Sequence, residues 1–300
     1  MNILITRHDK IGDFCTALPM MKVLKEKTNH KIFALVSKVN YEFAKNFDFI
    51  DEVLLYHDSP ILLAKELKNH KIDISISAFI DTNLGLGLFL SGIKTRIAPA
   101  TKLAQIFFNK RIKQRRSEVK KSEWEYNLDL LKALDSSLDI SFTPPILNFD
   151  YERENIVVFH PGFGGSSDGN LKIKDYIKLA KSIKDKTKVI FTFGPADYEA
   201  KEYIKKHSDF EIKDNFESLW KFTTFLAKVK LFVSTSTGPM HLASLSNTPT
   251  LSFFGDTKFA SYKRWKPESD ENLQRNFLVG ENYDEKLYQE VEKSLKELIV

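Results

Sequence analysis

Twice along this chain, short β-branched runs alternate with amphipathic helical stretches, and that rhythm restricts the fold more than any other feature. "NILIT" (2–6), "KIFALVS" (31–37), "EVLLY" (52–56) and "IDISISA" (72–78) have the unbroken apolar character of strands buried on both faces of a parallel sheet. The segment 123–135, "EWEYNLDLLKALD", predicts a helix, with Trp124, Leu128, Leu131 and Leu134 at three- and four-residue spacing. "ISFTPPILNFDYEREN" then has no helical period and contains Pro144-Pro145, as a linker would. After it the rhythm restarts with "IVVFH" (156–160), "TKVIFTF" (187–193), "KLFVST" (230–235) and "TPTLSFF" (248–254). The expectation is an α/β protein of two units, 1–145 and 146–283. A closing amphipathic helix in 284–300 would pack back on the N-terminal one. In open parallel sheets ligands bind beyond the carboxyl ends of strands, so a cleft between the units is the expected site.

Composition closes off several classes. At 300 residues, 42% hydrophobic and 28% charged, the chain suits folded domains with cores of their own. The single Cys15 excludes an internal disulfide framework and reads as a packing residue. No apolar run reaches membrane-spanning length, and Met1 to Thr6 looks like a strand, not a signal peptide. A cytoplasmic location is expected. The seven histidines are scattered, without an H-x-x-H or a Cys pair, so no metal site is expected.

The net charge of +5 is uneven. "KRIKQRRSEVKK" (110–121) carries seven basic residues and one acidic. It reads either as a solvated loop or as a contact for something anionic. Aromatics do not interleave with its cations, so nucleic acid fits poorly and an anionic lipid headgroup fits better. That would place the protein peripherally on a membrane surface.

Three loops at strand ends carry chemistry. In "ITRHDKIGDF" (5–14), Arg7, His8, Asp9, Lys10 and Asp13 crowd one turn. Pro19 belongs in a first helical turn, which puts the helix start near Thr16 to Leu18 and Gly12-Asp13 at its threshold. Asp13 is then either an N-cap or a carboxylate that accepts a proton. In "HPGFGGSSDGN" (160–170), Gly162, Gly164 and Gly165 permit close backbone approach, and Ser166 and Ser167 add hydroxyl donors for an anion; the alternative is a merely flexible loop, to which Gly169 would contribute. In "STSTGPMHLAS" (234–244), Gly238 and Pro239 open a helix. Its first turn, with Ser236, Thr237, Met240 and His241, would hold a phosphate, His241 being either a ligand contact or a buried core histidine. Two anion loops in one unit suggest a nucleotide diphosphate.

"RHDKIGDFCTALPMMKVLK" resembles the opening of the family 9 glycosyltransferases, the ADP-heptose:lipopolysaccharide heptosyltransferases and their relatives. "EWEYNLDLLKALD", "HPGFGGSS", "FGPADYEAKE" and "STSTGPMHLASLSNTPTLSFFG" are similar to later motifs of that family, in the same order. The resemblance implies a GT-B fold, two Rossmann-like parallel-sheet domains facing each other across a cleft. It also implies inverting transfer of heptose from ADP-heptose to a lipopolysaccharide or lipooligosaccharide core acceptor. No metal or cofactor would be essential, and Asp13 would be the general base. Donor contacts would fall to Gly164, Gly165, Ser166, Ser167, Lys172, Glu199 at the ribose, Ser236, Thr237, Gly238, Pro239, Met240 and His241. Acceptor contacts would fall to Arg7, Lys10, Lys110, Arg111, Lys113, Arg115 and Arg116.

Two departures stand out. Ser236 occupies a place where many members have Asp. The Lys common after the glycine-rich loop is absent from Asp168 and Asn170-Leu171, leaving Lys172 as the nearest substitute. A different nucleotide-sugar donor is therefore an alternative. A non-catalytic sugar-nucleotide-binding protein is a further alternative, against which Asp13 argues.

Overall fold

The computed structural model describes residues 1–162 and 169–299. The chain divides into two compact units, 1–116 with 121–142, and 117–120 with 143–300. Among the described residues, each is built on one six-stranded sheet whose strands all pair in parallel.

In the first unit β1 (Asn2–Arg7) leads through α1 (Ile11–Cys15) and α2 (Leu18–Lys27) to β2 (Lys31–Val36). Then come α3 (Lys38–Ala44), β3 (Glu52–Leu55), α4 (Pro60–Asn69), β4 (Ile74–Ser77), α5 (Thr82–Leu90), β5 (Thr95–Pro99), β6 (Lys110–Ile112) and α6 (Glu123–Asp129). The order β3-β2-β1-β4-β5-β6 puts the reversal of winding between β1 and β4. Leu4, Phe33, Leu35 and Leu54 of the sheet pack against Leu63, Leu67, Leu84 and Leu88 of α4 and α5.

The second unit repeats the plan. Its strands are β7 (Glu154–His160), β8 (Lys188–Phe191), β9 (Glu211–Ile212), β10 (Val229–Thr235), β11 (Thr250–Phe254) and β12 (Gln274–Leu278), in the order β12-β11-β10-β7-β8-β9. Between and after them lie α7 (Ile173–Ile183), α8 (Tyr198–His207), α9 (Leu219–Ala227), α10 (Gly238–Ser244), α11 (Tyr262–Trp265) and α12 (Glu285–Leu298). Its reversal lies between β7 and β10, where Ser234 pairs with His160.

The C-terminal helix α12 puts Tyr288, Val291 and Leu295 into the core of the second unit. Two expectations need correction. Asp13 caps no helix. It lies inside α1, and α2 starts after Ala17 with no side-chain cap at all. The helix expected over 123–135 is α-helical only to Asp129 and continues as a 3-10 turn to Ala133. It buries Glu123 and Asn127 beside Tyr126 and Leu130, leaving Trp124 and Leu134 half-buried. Polar groups inside the unit hold those two residues, which outweighs the apolar stripe.

Candidate active site

At the carboxyl end of β1 the chain turns a cation inward. Arg7 is buried; its Nε donates to Asp9 Oδ1 at 2.8 Å, its Nη2 to Asp13 Oδ1, and its Nη1 to the Ala78 carbonyl at 3.4 Å. Burial works against its charge, but Asp9, Asp13 and Glu123 outweigh that and raise its pKa. Arg7, expected on the acceptor side, serves two carboxylates. Burial also pushes the Asp9 carboxyl up; Arg7 opposes this and Asp13 reinforces it. The Asp13 side chain keeps 18% of its surface exposed.

The loop's backbone is held as firmly as its charges. Ser37 Oγ donates to Asp9 O at 2.8 Å, and Thr16 Oγ1 to Asp13 O at 2.7 Å. Asn127 Nδ2 donates to Thr16 O at 3.0 Å, and Asn127 Oδ1 accepts from Arg116 Nη2 at 3.1 Å. Arg116 also meets Glu123 Oε2 at 2.7 Å. Arg116, expected to contact acceptor, forms part of the frame behind Asp13. Its neighbours in the basic run differ. Lys110 and Arg111 lie on the edge strand β6, with Lys110 Nζ on the Ala133 carbonyl, and Lys113 and Arg115 are exposed. Lys10 is exposed at the start of α1.

Beside the arginine cluster lies a recess of about 660 Å³, lined by His8, Asp9, Ser37, Lys38, Tyr56, Asp58, Phe79, Asp81, Thr82 and Asn83. It opens where β1 and β4 end as neighbours, at the reversal of strand order. His8 Nε2 meets Asp81 Oδ2 at 2.5 Å, and its ring stacks on Tyr56 with centroids 4.0 Å apart. His8 Nδ1 is buried without a hydrogen-bond partner among the described residues. Asp81 also caps α5 by accepting from Leu84 N at 2.8 Å. Burial would raise its pKa, but the His8 and Leu84 hydrogen bonds overcome that and lower it. Lys102 Nζ sits 3.8 Å over the Phe79 ring and donates to Ile80 O. Tyr56, Asp81 and Lys102 carried no motif in the sequence, since three separate loops supply them.

In the second unit, the loops after the neighbouring strands β7 and β10 leave the sheet side by side. Gly164, Gly165, Ser166 and Ser167 lie outside the described residues. The base of that loop is closed by Asn170, whose Nδ2 donates to Pro161 O at 2.9 Å and whose Oδ1 accepts from Tyr176 OH at 2.5 Å. Gly162 is required by crowding, because a Cβ there would stand 1.9 Å from Asp197 Oδ2. Asp197 Oδ2 accepts from Gly194 N at 2.8 Å. Gly169 is a packing residue and not a source of looseness. Its carbonyl accepts from Thr235 Oγ1, and a Cβ would lie 2.2 Å from the Gly255 nitrogen. His160, at the end of β7, bonds Thr192 Oγ1 at 2.9 Å through Nδ1. Burial lowers its pKa to about 4, with Asp197 opposing.

The helix start at Gly238 is more self-contained than the sequence suggested. Gly238 is the first helical residue and Pro239 the second, and the N–H groups of Met240 and His241 turn back onto Thr237 O at 3.1 and 3.4 Å. The Met240 side chain is in the core. Ser236 and Gly238 are half-buried, and Thr237 Oγ1 donates to Thr235 O at 3.3 Å. His241 is buried, with Nδ1 2.9 Å from Glu268 Oε1, and Glu268 Oε2 accepts from Ser244 Oγ at 2.7 Å. Glu268, in "KPESD", offered no sequence signal. Lys172 is exposed, with Nζ 5.5 Å over the Tyr283 ring, and Glu199 is exposed in the first turn of α8.

Among the described residues, no group of three or more His, Cys, Asp and Glu side chains could hold a metal ion. The sequence profile described as glycosyltransferase family 9 (heptosyltransferase) matches residues 90–293. The chain belongs to glycosyltransferase family 9. It is 35% identical, over 89% of its length and 86% of the relative's, to a Haemophilus influenzae protein whose name proposes a glycosyltransferase. It is 27% identical, over 90% of its length and 85% of the relative's, to lipooligosaccharide heptosyltransferase 2 of Campylobacter jejuni. Among solved structures, ADP-heptose lps heptosyltransferase II of E. coli superposes with a TM-score of 0.84 at 17% identity, covering 100% of this chain and 98% of that one. This family 9 glycosyltransferase therefore has the GT-B fold.

Proposed function

We propose that this enzyme transfers a heptose from ADP-heptose to a sugar hydroxyl of a lipopolysaccharide or lipooligosaccharide core acceptor, inverting the anomeric carbon. The Arg7–Asp13 contact beside the recess carries the reading: a carboxylate oriented by a buried guanidinium, partly open to solvent, at a strand-order reversal. Asp13 takes the acceptor hydroxyl proton as the acceptor oxygen bonds to the anomeric carbon. The bond from that carbon to the diphosphate breaks, and ADP leaves with the electron pair. The reaction in this form calls on no metal or other cofactor.

On the donor side, with Pro239 lacking an N–H and those of Met240 and His241 turned inward, the diphosphate is met by the Thr237 and Gly238 N–H groups and the Ser236 hydroxyl. Gly164, Gly165, Ser166 and Ser167 approach it, Lys172 supplies a cation, and Glu199 takes the ribose. Lys10, Lys110, Arg111, Lys113 and Arg115 face acceptor anions. The acceptor is a glycolipid met at the cytoplasmic face of the inner membrane. Ser236 in place of the common Asp favours a second reading, in which the donor is another nucleotide sugar.

The test is incubation with ADP-heptose and truncated core oligosaccharides, followed by mass. A gain of one heptose residue supports the reading. Transfer from UDP- or GDP-sugars in its place would move the donor assignment to the second reading.

A further inference from the structure

Helix α5, "TNLGLGLFL", has no charged residue and is apolar on every side. A helix of that kind is ordinarily enclosed. Here Leu84 and Leu88 enter the core, while Phe89 and Leu90 on the outer side are exposed. The 3-10 turn Leu103–Phe107 packs on the same helix, because a Cβ at Gly85 would meet Phe107 Cδ2 at 2.8 Å and the Phe89 and Phe107 rings lie 6.3 Å apart. That turn also lacks charge, and it presents Leu103 and Ile106 to solvent at 88% and 71% exposure. Four large apolar side chains thus stand outward on two touching segments.

The stretch of chain that carries them holds charge of one sign. From Thr82 to Ser117 there are eight Lys and Arg residues and no Asp or Glu. Arg116 is turned inward onto Glu123, and Arg96 lies over the Phe89 ring at 5.4 Å. Lys94, Lys102, Lys110, Arg111 and Lys113 are exposed.

We propose that this face, α5 with residues 101–113, is where the protein lies on an anionic membrane. Leu103, Ile106, Phe89 and Leu90 enter the boundary between headgroups and acyl chains, and the cations meet lipid phosphates. The charge selects the occupant. A second copy of the chain would bring the same positive rim against this one, and nucleic acid phosphates give exposed leucine and isoleucine nothing to bind. An anionic bilayer satisfies both halves of the surface. No helix among the described residues is long and apolar enough to cross a membrane, so this contact is interfacial. Thr82 and Asn83, at the start of α5, line the recess. The proposal deepens the glycolipid-acceptor reading, since docking through α5 brings the recess close to the lipid surface.

The test is co-sedimentation of the full chain with phosphatidylcholine vesicles, with and without phosphatidylglycerol. Binding is expected only with phosphatidylglycerol, and is expected to fall with added salt. The double variant Leu103→Ser, Ile106→Ser should bind roughly tenfold or more weakly at an unchanged melting temperature, because both side chains are exposed. Equal vesicle binding by this variant, or none by the wild type, overturns the proposal. So does concentration-dependent self-association that the variant abolishes, which would assign the face to a second copy. Parallel assays on a water-soluble core oligosaccharide separate the two readings. Transfer without vesicle binding overturns this surface and leaves the proposed reaction standing, whereas vesicle binding without transfer does the reverse.

Discussion

Arg7 holds Asp13 through one guanidinium nitrogen and Asp9 through another, so that a single buried cation orients both acids of the first loop. The two acids differ in surroundings. Asp9 faces the recess and is pushed up by burial and by its neighbour, while Asp13 sits in α1 with its backbone carbonyl pinned by Thr16. This arrangement separates the carboxylate proposed as base from the one that shapes the recess.

Asp13→Asn keeps the shape and removes the proton acceptor. Turnover should fall roughly 10²–10⁴-fold, with the thermal shift produced by ADP unchanged. Steady-state rates alongside melting curves check this; undiminished turnover would exclude Asp13 as the base.

His160 predicts a pH dependence of stability. Its folded pKa of about 4 lies below the ordinary value of 6.5, so the unfolded chain binds the proton first as pH falls. Its contribution is complete above pH 6.5 and is lost between there and pH 4, by about 2–3 kcal/mol. Urea melts across that range should show a shallower slope for His160→Gln than for the wild type.

Glu268 joins His241 and Ser244 inside the second unit. Glu268→Ala leaves both without their carboxylate and should cost about 3–5 kcal/mol. Glu268→Gln, which retains one acceptor oxygen, should cost less. Denaturant midpoints give the comparison, and equal losses would mean that the charge of Glu268 is immaterial.

Gly162→Ala would drive a methyl group into the Asp197 carboxyl. A loss of about 1–3 kcal/mol is expected from such overpacking. In a double-mutant cycle Asp197→Gly should recover part of it, since the obstacle is that one side chain. Additive losses would show that the two positions do not interact.

Much of the fold was legible in the chain itself. The strands β1, β2, β7, β10 and β11 each carry a mainly apolar run, and parallel sheets covered on both faces demand that composition locally. The strands β5, β6, β9 and β12 were missed because they are short or polar. β6 is "KRI", drawn from the start of the basic run, and becomes a strand only because β5 offers it an edge.

Within the site, the position of Asp13 after the first strand was already marked by its spacing from Gly12 and Pro19. What Asp13 does there was not, because capping and proton transfer place the same residue type at the same point. Tertiary structure excludes the cap by placing Asp13 inside α1 with Arg7 directed onto it. It likewise turned Arg116 from a surface cation into the support of Glu123 and Asn127, and gathered His8, Tyr56 and Asp81 from three loops. The physical reason is common to all of these. Local sequence sets which segments can be buried strands or helices, but which partner a charged group finds depends on loops far apart in the chain, and only the closed sheet brings those together.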